Sequence, residues 1–115
     1  MDISAEIEDI RKGARGFLDR SPKLKETFFP FFENAYANGA IEAKTKHLIA
    51  LCGGLVAGCT GCIVGQTDMA LQKGATVQEV LETCGVAMSL GGTMAWSHVA
   101  KVMLFLEENG RIEEG

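Results

Sequence analysis

The sequence predicts an all-α domain, and three observations carry that prediction. No useful length of chain alternates apolar and polar residues, β-branched clusters are sparse, and apolar residues recur at helical spacing. With 115 residues, residues 1–115 are expected to fold as one domain around a single core. About six helices follow in order. Ile7, Ile10, Ala14, Phe17 and Leu18 give a helical stripe over residues 4–19. Ser21-Pro22 then supplies a cap and a proline at the first helical position, where no N–H is needed. This second helix extends to Ala37, carrying Leu24, Phe28, Phe29, Phe31, Phe32 and Tyr36, and Pro30 is expected to bend or divide it.

A third helix is expected over Ile41–Ala57 and a fourth over Thr60–Lys73, closed by Gly74. Thr76-Val77-Gln78-Glu79 is a capping box that starts the fifth. It places Val77, Val80, Leu81, Cys84 and Met88 on one side and ends at Gly91-Gly92. The sixth, Thr93–Glu108, is apolar nearly all round through Met94, Trp96, Val99, Val102, Met103, Leu104, Phe105 and Leu106, the pattern of a helix buried on most sides. It reads as core plus a subunit contact, with Trp96 packed in one or the other. The polar tail, 109–115, is expected to be mobile.

Composition narrows the function. A short chain leaves much of its surface uncovered, so an apolar content of 47% predicts that part of it is buried between subunits. A net charge of −4, a pI near 5.1 and scattered lysines and arginines argue against nucleic acid, which needs a basic footprint. Small molecules and protein surfaces are the expected partners. MDISAEIEDI has neither the basic nor the apolar region of a secretory signal, so a cytoplasmic location with reduced cysteines is expected. Leu48–Thr67 is uncharged over a bilayer's length, but its five glycines and the break at Cys59-Thr60-Gly61 split it into two core helices, so no membrane span is expected.

The decisive stretch is GCTGCIVGQT, residues 58–67. Cys59 and Cys62 open the fourth helix, and a helix N-terminus stabilises a thiolate. Thr60-Gly61 keeps the intervening loop small enough for two sulfurs to bond. Cys52 and Cys84 lie among Leu, Val and Ala at helical spacing, as small core hydrophobes do. A close pair of reduced cysteines is redox-active or metal-binding. In the metal reading Cys59, Cys62, His47 and His98 would ligate zinc. In the redox reading no cofactor or metal is needed.

KTKHLIAL (44–51), the CTGC pair, ALQKGAT (70–76), the helix start at Glu79 and Gly91-Gly92 resemble the alkylhydroperoxidase D-like, carboxymuconolactone decarboxylase family. The resemblance covers residues 20–107 and is most specific over 44–92. It implies an all-helical bundle, assembled as a homotrimer or homohexamer, with peroxidase chemistry at a CxxC pair. By that resemblance Cys62 is the peroxidatic thiol and Cys59 the resolving one, the substrate is a peroxide or disulfide, and a dithiol protein is the reductant. Redox members of the family carry a glutamate where this chain has His47 and a histidine where it has Gln66.

Gln66 shares a helical face with Cys62 but cannot take up a proton, whereas an imidazole can near neutral pH. The expectation is an inverted relay, with His47 as base or acid and Gln66 as the orienting amide. His47, Leu51, Gly54 and Gly58 form one stripe, which the resemblance turns toward the cysteines. The competing readings are a solvated His47 and a surface Gln66. Some family members place a histidine where His98 stands, so His98 is either a core residue beside Val102 and Phe105 or a further site residue across a subunit boundary. Two other family roles stay open: lactone decarboxylation, whose members generally lack the cysteine pair, and a scaffold that has lost catalysis.

Overall fold

A computed structural model describes residues 2–113, as five helices and, among these residues, no strand: α1 Ile3–Asp19, α2 Pro22–Tyr36, α3 Ala43–Ala57, α4 Thr60–Gln72 and α5 Val77–Glu108. The starts obey local chemistry. Asp2 accepts the N–H of Ala5 at 3.0 Å, and Pro22 occupies the first turn of α2. Thr76 and Glu79 complete their capping box, each side chain accepting the other's backbone N–H at 3.0 and 2.9 Å.

The core lies between α3, α4 and α5. Leu51 and Leu55 from α3 meet Ile63 and Leu71 from α4, and Val80, Cys84, Ala87, Val102 and Leu106 from α5. Each fully buried leucine, isoleucine or valine contributes about 1.5–3 kcal/mol over its exposed state. α1 packs over this core through Ile3 and Ile7 against Val64, Leu104 and Phe105. It is tied to the end of α5 where the Ile3 N–H donates to Glu108 Oε1 at 3.0 Å.

The expected boundary between the fifth and sixth helices is present inside α5: Gly92 leaves helical geometry (φ 60°, ψ −143°), so α5 consists of two helical segments joined by a sharp kink at the glycine pair. Several expectations change. The inward face of the first segment is Val80, Cys84 and Ala87, while Met88 is exposed. Pro30 does not divide α2, because the helix has no buried residue and the Glu26 carbonyl deprived of its donor lies on an exposed turn. The α1 stripe is used only in its first half: Ile3 and Ile7 are buried, while Ile10 and Phe17 are exposed. In the second half of α5, Ala95, Val102 and Leu106 are buried, but Trp96 is 62% exposed and Met94 also faces outward, so Trp96 is no core residue of the single chain.

The tail is held beyond Glu108. Arg111 N–H donates to the Leu106 carbonyl at 2.8 Å and Ile112 packs on the core; residues 114–115 of the expected mobile tail lie outside the described residues. The uncharged stretch 48–67 divides as expected, with α3 ending at Ala57 and α4 starting at Thr60. No helix among the described residues is long and apolar enough to cross a membrane.

α3 and α4 approach closely at Gly54, where an added Cβ would lie 3.0 Å from Cys62 Cβ and 3.4 Å from the Ile63 nitrogen. Helix backbone cannot yield there as a flexible side chain would. Gly54→Val should therefore destabilise the fold by about 1–3 kcal/mol, read as a lower urea midpoint with unchanged slope.

Candidate active site

α3 stops and α4 starts within two residues. Gly58 takes a left-handed conformation (φ 74°), and the Cys59 N–H donates to the Gly54 carbonyl at 3.0 Å. Cys59 thereby becomes the N-cap of α4, and its Sγ accepts the Cys62 N–H at 3.2 Å. The two Cα atoms are 5.2 Å apart and the sulfurs are bonded as a disulfide. Cys59 is half-buried and Cys62 exposed. Both sulfurs therefore stand where the unsatisfied N–H groups of a helix favour a thiolate.

Behind them the α3 stripe turns toward α4, with His47, Leu51 and Gly54 all buried. His47 is 4% exposed, which excludes the solvated reading. Its Nδ1 lies 2.6 Å from Gln66 Oε1, and Gln66 Nε2 donates to Tyr36 Oη at 3.1 Å. An amide oxygen only accepts, so Nδ1 carries the hydrogen, and in the neutral ring Nε2 is left as the proton acceptor. The Tyr36 ring stacks on the imidazole with centroids 4.4 Å apart and planes 2° from parallel. Gln66 is thus held between two rings and is no surface amide.

His47, Gln66 and Tyr36 line an open cleft of about 770 Å³, walled by Phe28, Phe29 and Phe32 of α2 and reaching Gly61 between the two cysteines. Tyr36 is a site residue that the sequence reading left in the aromatic stripe of α2; its only signal was a hydroxyl at the end of that stripe. Lys101 was missed as well. Its Nζ donates to Thr60 Oγ1 at 2.5 Å, a contact across 41 residues that no local pattern reveals.

His98 does not join His47. Its ring sits over Gly58, with Nε2 2.9 Å from the position of an added Cβ, on the residue before Cys59. Among the described residues no three or more His, Cys, Asp or Glu side chains group as metal ligands, so the four residues of the zinc reading are not brought together. Cys84 is buried and Cys52 half-buried, as expected of core thiols. Burial, then the neighbouring Cys52, pushes the Cys84 thiol up to about 11.

The fold and the site define a small all-helical protein with a dithiol at a helix N-terminus beside an imidazole–amide–phenol chain. Residues 22–104 match the carboxymuconolactone decarboxylase family, and the chain belongs to it. A family member from Legionella pneumophila superposes with a TM-score of 0.84 at 31% identity, over 92% of this chain and 95% of its own. One from Thermotoga maritima, for which a part in an antioxidative response has been suggested, gives 0.70 at 30% identity, over 77% and 92%. Uncharacterized protein 4 in the cox locus of Paracoccus denitrificans is 31% identical over 85 residues, 74% of this chain and 77% of its own.

Two outcomes follow from this geometry. In reduced native protein near about pH 8, an alkylating reagent should modify Cys59 and Cys62 and leave Cys84 untouched until denaturant is added, as read by peptide mass spectrometry. Nitrogen NMR of His47 in its neutral form should show a protonated Nδ1 and an unprotonated Nε2, and Gln66→Ala should let the other tautomer appear.

Proposed function

We propose that this protein is a dithiol oxidoreductase that reduces a hydroperoxide or a disulfide through Cys59 and Cys62. The observation that carries the reading is the cysteine pair at bonding distance on the first turn of α4, one sulfur at the cap and the other exposed. The suggestion made for the Thermotoga relative points the same way.

In the peroxide reaction the Cys62 thiolate attacks the terminal peroxide oxygen and the O–O bond breaks. The alkoxide leaves as alcohol after taking a proton, and Cys62 becomes a sulfenic acid. Cys59 then attacks that sulfur, water departs with the hydroxyl and a proton, and the disulfide closes. Two thiols are oxidised while one hydroperoxide becomes alcohol and water. His47 is the proton carrier, and Gln66 with Tyr36 fixes which of its nitrogens is free. A dithiol reductant protein resets the pair by exchange, which suits a reducing, cytoplasmic setting.

The working form is a homo-oligomer, a trimer or hexamer by family resemblance. Support comes from Phe17, Leu24, Phe31, Leu90, Met94 and Trp96, each a large apolar side chain more than half exposed on the single chain.

Turnover of hydroperoxide by variants tests the reading. Cys62→Ser should abolish turnover, and Cys59→Ser should allow one turnover that ends in a trappable sulfenic acid. His47→Ala should lower the rate near neutral pH by about a hundredfold, and Gln66→Ala by about tenfold or less. Equal, negligible losses in the last two variants would remove His47 from the mechanism. Light scattering at micromolar concentration should find an oligomer, and a stable monomer would overturn that part.

A further inference from the structure

α5 lays a basic side chain on each of the two residues that flank Cys59. The His98 ring covers Gly58, and one turn later Lys101 Nζ donates to Thr60 Oγ1 at 2.5 Å. Lys101 is half-buried, and among the described residues no carboxylate pairs with it. An ammonium held that way keeps its field for an anion forming nearby. Cys59 Sγ in addition already accepts the N–H of Cys62. Cys62 lies one turn away, exposed, on the side of Gln66. Other charged or titratable groups facing this turn are Arg11 of α1, which approaches Gly65, and His47 of α3 behind Gln66.

The geometry points to Lys101 as a positioning residue that, through the Thr60 hydroxyl, makes Cys59 the more acidic of the two thiols. The assignment rests on the dithiol reading and divides the labour within it. Cys62, being exposed, is the sulfur that meets substrate and reductant; Cys59 is the sulfur that resolves and leaves. In the reset, a reductant thiolate attacks Cys62, the Cys59–Cys62 bond breaks, and Cys59 departs as a thiolate, with the ammonium held on the next residue, Thr60. The reductant's second thiol then attacks its own sulfur in the mixed disulfide, so that Cys62 is released and the reductant ends oxidised. A thiol of lower pKa leaves faster, so Lys101 speeds the step that regenerates the enzyme.

The test is alkylation of single thiols, which needs no turnover. Near neutral pH, Cys59 in Cys62→Ser/Lys101→Met should react about threefold to tenfold more slowly than in Cys62→Ser alone, with its pH profile moved upward. Lys101→Arg should restore most of the rate, and Thr60→Val should slow Cys59 without adding to Lys101→Met. Cys62 in Cys59→Ser/Lys101→Met should change by less than about twofold. Reduction of the disulfide by dithiothreitol should slow in Lys101→Met by a factor like that seen for Cys59. An unchanged Cys59 profile would overturn the assignment, as would equal slowing of Cys62. So would failure of Lys101→Arg to restore the rate in a protein that melts early. Lack of peroxide and disulfide turnover with these profiles as expected would instead sink the oxidoreductase reading and leave the role of Lys101 intact.

Discussion

The close approach of α3 and α4 at Gly54 sets the positions of the two cysteines, His47 and Gln66. With hydrogen in place of a side chain, the Cys62 backbone comes within contact of α3. The chain must then reverse within two residues, which Gly58 allows by its left-handed conformation and Cys59 completes by capping α4. Two sulfurs fall on one turn of helix as a consequence. The same packing sets the register in which His47, two turns before Gly54, reaches Gln66, one turn after Cys62. Cysteine pair and imidazole are thus positioned by a single helix–helix contact.

The dithiol has two unlike surroundings. On one side a buried imidazole, an amide and a phenol are linked by hydrogen bonds and ring stacking, next to an aromatic-walled cleft. On this side the amide oxygen faces Nδ1 of the imidazole, so the hydrogen bond selects a tautomer. On the other side the second half of α5 brings His98 and Lys101 against the residues flanking Cys59. That side carries a lysine and a histidine and no carboxylate paired with the lysine among the described residues. Gly92, at the kink, separates this half of α5 from the half that carries Val80, Cys84 and Ala87. A dithiol that must both attack and leave benefits from such a division, because the two tasks ask for different thiol acidities.

Much of this was legible beforehand because it is local. Thr and Pro at helix starts, the CxxC spacing and the i, i+4 relation of Cys62 to Gln66 depend on neighbours along the chain. The stripe of His47, Leu51 and Gly54 was readable for the same reason. Tyr36 and Lys101 were not, since each meets its partner across 30 or 41 residues and neither stands out from the residues beside it. The aromatic residues of α2 show the converse limit. Their spacing is that of a helix that buries one face, yet none of them is buried in the single chain. Periodicity reports that a face is apolar and says nothing of which molecule covers it.

By itself, then, the sequence determined an all-helical chain, the proline start of α2, the capping box of α5, and a cysteine pair at a helix N-terminus. These are set by backbone hydrogen bonding and by side-chain spacing of one turn or less. Only the tertiary structure decided how the two segments of α5 on either side of Gly92 pack on α3 and α4. It alone seated His47 inside, stacked on Tyr36, kept His98 apart from it, and brought a lysine to Thr60, between the two cysteines. Such outcomes depend on how closely whole helices can approach and at what angle, and that distance is set by every side chain in the contact at once.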